Sequence, residues 1–240
     1  MILQAGSAAL RAAGFDPMSA AMLAAARAAS VPVAVHVDHG RDVAEVRRCL
    51  ETGFTSVMVD GSALPFGENV AQAREVVAMA YPAGALAEAE LGPLVGLEDA
   101  ALPQDASQAY TDPREAERFV RESGVHALAV AIGNVHGFYK GEPHLDLDRL
   151  RQIAERTAIP LVLHGTSGLP DDLVGQAIAL GIRKLNANAE ARAALFGTLE
   201  RELPCRLADL DLVKLEAATV AAMRRVVEAK MDLFGSRGRA

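Results

Sequence analysis

Residues 31–40, VPVAVHVDHG, form the stretch that decides the fold. Its run of apolar and β-branched residues predicts a buried strand, and the polar sequence Asp38-His39-Gly40 follows directly where that strand should end. Two further apolar runs close in the same way, at Asn134-Val135-His136-Gly137 and at Leu163-His164-Gly165. Because the carboxyl ends of parallel barrel strands lie on one face, the pattern places three imidazoles at one rim of a barrel.

Three imidazoles that converge from different strands suit a catalytic zinc site. Such a site keeps one position open for substrate, whereas structural zinc is usually closed by four protein ligands. A single histidine on an apolar strand is more often a core or supporting residue, so it is the combination of His39, His136 and His164 that favours metal binding. Asp38, directly before the first of them, is a candidate acid/base.

The whole chain alternates short apolar runs with amphipathic segments, which is the pattern of a parallel sheet flanked by helices. With 240 residues, of which 51% are apolar and 23% charged, it fits one barrel domain spanning 1–240. Helices are predicted at 18–29, 43–52, 67–81, 113–123, 147–156, 171–180 and 212–233. Seven strands are predicted, at 2–4, 31–37, 56–59, 85–90, 127–132, 160–163 and 183–186. A closed barrel has eight strands, so either one strand is missed or the sequence begins inside the barrel.

Composition argues against several classes of protein. A formal net charge of -7 is unlike the basic footprint of a nucleic-acid-binding domain. The apolar runs are all shorter than the ~20 residues that a membrane helix needs, and no leading basic-then-apolar signal is present, so we expect a soluble cytoplasmic protein. Cys49, in a helical segment, and Cys205, in a polar connection, are assigned no role.

Seven motifs resemble, in order and spacing, the class II, zinc-dependent ketose-bisphosphate aldolases, and most of all the branch of tagatose- and fructose-bisphosphate aldolases. The motifs are HVDHG at 36–40, VMVDGS at 57–62, EAELG at 88–92, ED at 98–99, HGFYKG at 136–141, HGTSG at 164–168 and LFGS at 233–236. The resemblance covers 1–240 and implies a TIM (β/α)8-type barrel. Family members have one further strand and helix ahead of the position matching Met1, which accounts for the count of seven.

The resemblance implies reversible cleavage of a ketohexose 1,6-bisphosphate, fructose or tagatose, into dihydroxyacetone phosphate and glyceraldehyde 3-phosphate, as in glycolysis. The reaction must stabilise an enediolate, and a zinc ion acting on the ketone and the adjacent hydroxyl supplies the Lewis acid. The implied zinc ligands are His39, His136 and His164. Asp38 is implied as the residue that moves a proton to or from the aldol hydroxyl.

Two glutamates are weighed separately. Glu98 matches a family residue that protonates the intermediate, although a loop glutamate is usually only solvated. Glu90 closes a predicted strand and matches a glutamate that serves an alternative metal position, with a structural role equally favoured. A cover formed by 95–96 and 102–110 is a hypothesis from loop composition.

Phosphate binding is predicted at the turn formed by Gly165, Thr166 and Ser167, whose N–H groups and hydroxyls precede a helix; a tight turn alone explains these residues equally well. By resemblance, Gly137 and Asn186 contact dihydroxyacetone phosphate, and Asn188 adds donors. Residue 189 departs from the family, which commonly carries threonine there. Alanine lacks the hydroxyl, and a lost charge-assisted bond costs ~1.5–3 kcal/mol.

The resemblance also implies a monovalent cation, Na+ or K+, near the phosphate and a homodimer or homotetramer. Other chemistry stays open at this point. A Schiff-base aldolase would use Lys184, and a metal-dependent barrel hydrolase commonly has an H-x-H pair, which the sequence lacks. The strongest rival is a non-catalytic or impaired barrel that binds a sugar phosphate or a partner subunit, suggested by the absent first strand and by Ala189.

Overall fold

Seven parallel strands form one curled sheet in the computed structural model, which describes residues 1–40, 42–92, 95–96, 110–137, 139, 141–207 and 210–239. The strands of this sheet are β1 (Ile2–Gly6), β2 (Ala34–Gly40), β3 (Ser56–Val59), β4 (Leu86–Leu91), β6 (Ala127–Val130), β8 (Leu161–Leu163) and β9 (Ile182–Leu185). Their order in space is their order in sequence. The sheet is curled and forms an α/β half-barrel. A separate two-stranded parallel sheet pairs β5 (Val95–Gly96) with β7 (Val135–His136). The seven predicted strands and the α/β fold class are confirmed.

Helices connect the strands and cover the outside of the sheet. They are α1 (Ser7–Ala13), α2 (Phe15–Ala28), α3 (Val43–Thr52), α4 (Phe66–Ala80), α5 (Pro113–Ser123), α6 (Leu147–Thr157), α7 (Asp171–Ala179), α8 (Ala189–Arg206) and α9 (Leu212–Leu233). No described helix is both long enough and apolar enough to cross a membrane.

Local sequence signals explain where these helices begin and end. The Asp42 carboxylate accepts a hydrogen bond from the Glu45 backbone at the start of α3, and Asp112 caps α5, in which Pro113 is the first residue. Such caps satisfy backbone N–H groups that a helix leaves unpaired. Gly53 and Gly124 then end α3 and α5 in the left-handed conformation that glycine adopts without cost.

Side chains alternate along each strand between the core beneath the helices and the inside of the barrel. Val35 and Val37 of β2 are buried in the hydrophobic core between sheet and helices. The intervening His36 lies on the opposite face of the strand, towards the inside of the barrel, and Glu88 of β4 does the same. The inside of this barrel is therefore partly polar, and its polar groups continue up to the rim.

Four elements were not predicted from the sequence: α1, α8, β5 and β7. The chain after β9 contains α8 as well as the predicted α9. Helix α8 was missed because its amphipathic pattern is weak and because Gly197 and Pro204, which disfavour helices, lie inside it. The placement of Cys205 in a polar connection was wrong, since it lies in the last turn of α8. The short helix α1 and the two-residue strands β5 and β7 were also missed. The predicted cover is untested, since 102–109 fall outside the described residues.

Candidate metal and substrate site

The three predicted histidines meet at the carboxyl rim of the sheet. His39 is the next-to-last residue of β2, His136 ends β7, and His164 directly follows β8. One ring nitrogen from each lies within 4.8 Å of the other two. The ring centroids are 5.0 Å apart for His39 and His136, 4.7 Å for His39 and His164, and 6.0 Å for His136 and His164. Residues 39, 136 and 164 are thus brought together by the fold.

The backbone around His39 is shaped to turn its ring into this cluster. His39 has a φ of 47°, a left-handed value that costs a non-glycine residue of order 1–3 kcal/mol. The next residue, Gly40, packs so closely that a Cβ there would lie 2.5 Å from the Met58 carbonyl oxygen. Strain of this kind persists where the surrounding structure demands it, as at a functional site.

A carboxylate then fixes which nitrogen of His39 carries the hydrogen. The His39 Nδ1–H donates to Asp60 Oδ2 at 3.1 Å, and Ser62 N donates to the other oxygen of Asp60. Burial opposes the charge on Asp60, but the hydrogen bonds from His39 and Ser62 outweigh it and lower its pKa to about 2. Because the carboxylate can only accept, His39 Nε2 is left as a buried nitrogen with no hydrogen-bond partner among the described residues.

His164 is oriented in the same way by Glu88. Its Nε2 lies 3.1 Å from Glu88 Oε1, and its buried Nδ1 has no hydrogen-bond partner among the described residues, although Glu90 Oε2 is 3.4 Å away. Burial disfavours a charged imidazole here. The hydrogen bond to Glu88 and the negative charges of Glu88 and Glu90 outweigh burial and raise the pKa of His164 to about 10.

His136 behaves as a neutral imidazole. Burial, followed by the nearby His39 and His164, lowers its pKa to about 4. Its strand is held in place by Asn134, whose amide donates to the Val130 and His164 carbonyl oxygens. A neutral imidazole beside two orphaned buried nitrogens fits a zinc ion in donor type, number and spacing.

A second group of possible ligand atoms overlaps the first. His39, Asp60 and Glu90 also offer one atom each within 4.8 Å of the others. Glu90 is buried, its Oε2 has no hydrogen-bond partner among the described residues, and burial raises its pKa. The metal-associated role of Glu90 stays a prediction, and Glu98 falls outside the described residues.

The candidate acid/base Asp38 is held by two amides. Asn186 Nδ2 donates to Asp38 Oδ1 at 2.9 Å, and Gln4 Nε2 donates to Asp38 Oδ2 at 3.2 Å. Burial alone would raise the pKa of Asp38, but the positive charges of His164, His39 and Lys184 lower it overall. Asp38 is therefore a carboxylate, able to accept a proton, at the edge of the histidine cluster.

A cavity of about 390 Å³ opens beside these groups. Most of the predicted substrate residues line it, together with several that the sequence did not suggest. The lining residues are Gln4, Asp38, His39, His136, Gly137, Gly165, Ser167, Asn186, Asn188, Ala189, Arg192, Ala193 and Phe196. Thr166 is not among them: it is buried, and its hydroxyl donates to the Asn186 carbonyl oxygen at 2.7 Å. Thr166 thus supports the wall that contains Asn186.

Arg192 is the most informative lining residue that sequence reasoning missed. Residues 189, 192, 193 and 196 of α8 all line the cavity, which is the i, i+3, i+4, i+7 spacing of one helix face. Recognising α8 would have placed Arg192 beside the predicted Asn188 and Ala189. Among the described lining residues, Arg192 alone carries a permanent positive charge.

Lys184, the Schiff-base candidate, lies elsewhere. Its Nζ is 2.8 Å and 2.9 Å from the two carboxylate oxygens of Glu88 inside the barrel, and it is not among the described lining residues. An amine whose Nζ is held in an ion pair with a buried carboxylate is not free to attack a carbonyl group. The geometry favours metal-dependent chemistry over a Schiff base.

A parallel half-barrel with three imidazoles and a carboxylate at its carboxyl rim is the framework of a metal-dependent barrel enzyme. The chain belongs to the class II fructose-bisphosphate aldolase family, whose sequence profile matches residues 1–239. It is therefore an aldolase, a carbon–carbon lyase, as its motifs predicted.

Named relatives carry two different activities. The chain is 42% identical over 212 residues to a fructose-bisphosphate aldolase from Geobacillus stearothermophilus, covering 88% of this chain and 73% of that protein. It is 41% identical over 214 residues to a 6-phospho-5-dehydro-2-deoxy-D-gluconate aldolase from Halalkalibacterium halodurans, covering 88% and 72%. The crystal structure of the YdjI aldolase from Escherichia coli K12 superimposes with a TM-score of 0.87 at 35% identity, over 100% of this chain and 83% of that one.

Proposed function

We propose that the protein catalyses zinc-dependent, reversible aldol cleavage of a ketohexose 1,6-bisphosphate, fructose or tagatose, to dihydroxyacetone phosphate and glyceraldehyde 3-phosphate. One observation carries the proposal. Ring nitrogens of His39, His136 and His164 lie within 4.8 Å of one another, next to the Asp38 carboxylate and a 390 Å³ cavity. Membership of the family supports it, since class II aldolases are in general zinc-dependent.

The metal would be held by His39, His136 and His164. Zinc bound there would supply a Lewis acid that polarises the substrate ketone. The chain contributes the orientation of the ligands, because Asp60 and Glu88 each accept one N–H and leave the other nitrogen of His39 and His164 without a hydrogen-bond partner among the described residues, available to a metal.

Asp38 performs the proton transfer. Its carboxylate takes the proton of the C4 hydroxyl, the C3–C4 bond breaks, and the bonding electrons pass into the enediolate of dihydroxyacetone phosphate while the aldehyde leaves. A proton then returns to C3. Gln4 and Asn186 keep both oxygens of Asp38 in place by donating amide hydrogens to them, while the positive charges of His164, His39 and Lys184 lower its pKa against the effect of burial.

The cavity wall offers partners for the phosphates. Gly137, Gly165 and Ser167 bring backbone and hydroxyl groups to it, and Asn186 and Asn188 add amide groups. Arg192 adds a guanidinium that attracts anions and forms charge-assisted hydrogen bonds with phosphate. This charge offsets the missing hydroxyl at Ala189, which lines the same cavity.

A second candidate substrate is 6-phospho-5-dehydro-2-deoxy-D-gluconate, because one of the relatives, at 41% identity, is named as an aldolase for this compound. Both 6-phospho-5-dehydro-2-deoxy-D-gluconate and fructose 1,6-bisphosphate carry a ketone next to a phosphate-bearing carbon. They differ at the far end, where the former has a carboxylate and the latter a second phosphate. The histidine cluster and Asp38 would serve the shared half, so the far end of the cavity decides between them.

The test measures triose-phosphate release by the purified protein from fructose 1,6-bisphosphate, tagatose 1,6-bisphosphate and 6-phospho-5-dehydro-2-deoxy-D-gluconate. Each assay is run as purified, after chelation, and after zinc is restored. D38N is assayed beside the wild type and is expected to lower kcat by ~10²–10⁴-fold, because general acid–base catalysis contributes about that much. Its zinc content should be unchanged.

Zinc-restorable release that is fastest with a ketohexose bisphosphate would support the proposal. Release confined to the gluconate substrate would transfer the activity to the second candidate. A folded, zinc-loaded protein that cleaves none of the three would overturn both and favour the non-catalytic barrel.

Four further expectations stay predictions. A monovalent cation near the phosphate is checked by the dependence of KM on Na+ and K+, and a cytoplasmic location by cell fractionation. Self-association as a homodimer or homotetramer is supported by exposed apolar side chains on α8, directly after it and on α9, including Leu203, Leu207 and Val213, and is checked by solution mass. The single domain over 1–240 is checked by one cooperative unfolding transition.

A further inference from the structure

Two opposite charges lie inside the barrel, beneath the histidine cluster. The side chains of Glu88 and Lys184 are only 3% and 10% exposed. Small barrels of this type usually fill this space with branched apolar side chains. Removing two charges from water costs free energy, and a buried ion pair does not in general make the folded state more stable than apolar residues would. Stability alone therefore does not explain the pair, and a functional role is favoured.

The contacts of the pair lead directly to the candidate metal site. Lys184 Nζ lies 2.8 Å from Glu88 Oε2 and 2.9 Å from Oε1, and Oε1 is also 3.1 Å from His164 Nε2. On the other side, Lys184 Nζ approaches His36 Nε2 at 3.4 Å, and His36 Nδ1 is hydrogen-bonded to Ser56 at 2.8 Å. Glu88 is thus the link between a fixed cation and one of the three histidines.

This link selects one form of His164. A Lys184 ammonium against both oxygens keeps Glu88 a carboxylate, which has no hydrogen to donate. Glu88 therefore requires a hydrogen on His164 Nε2, and the lone pair of a neutral His164 must lie on Nδ1. Nδ1 is the nitrogen that has no hydrogen-bond partner among the described residues, so it is the one left to act as a ligand in the cluster that His164 forms with His39 and His136.

We propose that Glu88 and Lys184 are positioning residues of the zinc site, in which Lys184 fixes Glu88 as an acceptor and Glu88 fixes the tautomer and ring orientation of His164. The inference deepens the proposed function and rests on it. It gives Lys184 a purpose other than nucleophilic catalysis, and it gives Glu88, which had no assigned role, a direct effect on metal affinity.

The test measures zinc affinity by competition with a chromogenic chelator in the wild type, E88Q and K184M. In E88Q the amide keeps the shape of the side chain but can donate to His164 Nε2, which moves the hydrogen to Nδ1. In K184M the carboxylate loses its cation. Loss of such supporting partners typically weakens metal binding by 10–100-fold, and we expect a loss of about this size in both variants.

K230M serves as the matched control, because Lys230 also forms a partly buried ion pair, 2.7 Å from Glu190, but does not contact the histidines. Its zinc affinity should equal that of the wild type. The visible absorption of bound Co2+ gives a second readout, since it reports ligand geometry: it should change in E88Q and stay unchanged in K230M. Melting of each metal-free variant separates loss of folding from loss of affinity, and near-isosteric E88Q carries the test if K184M fails to fold.

Zinc affinity within about threefold of wild type in folded E88Q, well below the usual supporting effect, would overturn the inference and leave the proposed function standing. A wild-type protein that binds no zinc would overturn the proposed function, and the inference with it.

Discussion

At the scale of single residues, a charged side chain in the cavity could replace the phosphate contact that Ala189 cannot make. The protein as a whole is acidic, with a formal net charge of -7, yet its proposed substrate is a dianion or more. Arg192 sits one turn after Ala189 on the same face of α8, so a guanidinium is available where the alanine methyl offers no hydrogen bond. We expect this neighbour to offset the missing hydroxyl of residue 189, which would weaken one of the two arguments for an impaired barrel.

Replacing this charge should weaken substrate binding more than turnover. R192M is expected to raise KM for a bisphosphate about tenfold and to change kcat much less. Hydrogen bonds to charged groups contribute ~1.5–3 kcal/mol, and a tenfold change corresponds to the low end of this range. The low end is expected because Arg192 is exposed. Steady-state kinetics at two salt concentrations check it. R201M, on the same helix but hydrogen-bonded to Thr198, is the control and should leave KM unchanged. Equal KM values in R192M and R201M would contradict a phosphate contact.

At the scale of secondary-structure elements, the site depends on how closely β7 approaches the turn after β8. Gly165 has a φ of 63°, and a Cβ at this position would lie 2.1 Å from the Val135 carbonyl oxygen. Tyr139 strengthens the same contact by donating its hydroxyl to the Gly165 carbonyl oxygen at 3.0 Å. Since His136 follows Val135 directly, any separation of the two segments moves one imidazole away from the others.

G165A is therefore expected to damage the site through geometry alone. The added methyl must displace the Val135 backbone, so zinc affinity should fall by more than tenfold, about what a shifted ligand costs. Chelator competition measures this. G175A is the matched control: Gly175 lies inside α7 with no described atom near its missing Cβ, and alanine there should stabilise the protein by ~0.4–1 kcal/mol in denaturant unfolding. Unimpaired zinc binding in G165A would show that the close approach is not needed.

Some of these elements and contacts could be predicted from the sequence and others could not. Strands such as β2 were predictable because an apolar run and a sharp polar ending are local signals, and the rim position of His39 and His164 followed from parallel topology. Helix α8 was not predictable, since Gly197 and Pro204 weaken its pattern and its position depends on packing against α9. The Glu88–Lys184 pair was equally hidden, because its partners are 96 residues apart and meet only when β4 and β9 face each other across the barrel.

At the scale of the whole molecule, the candidate ligands come from widely separated parts of the chain. His39 comes from β2, His136 from β7 and His164 from the end of β8, and the described sheet is an open half-barrel with β1 and β9 as its two edges. A metal held by all three would cross-link the sheet from one side to the other. Binding of this kind favours only the folded state, because the unfolded chain does not hold the three imidazoles together.

Zinc should consequently stabilise the fold by mass action. A free zinc concentration 100 times the dissociation constant adds ~2.7 kcal/mol, which for a chain of this size corresponds to a rise in Tm of about 5–11 °C. Melting curves recorded with chelator and with a zinc series check this. H136A, which removes one candidate ligand, should lose most of the shift, whereas H144A, which removes an exposed histidine outside the cluster, should keep it. Because the shift is an equilibrium property of the folded site, it tests the three-histidine cluster independently of substrate, and a Tm that does not respond to zinc would exclude the cluster as a tight metal site.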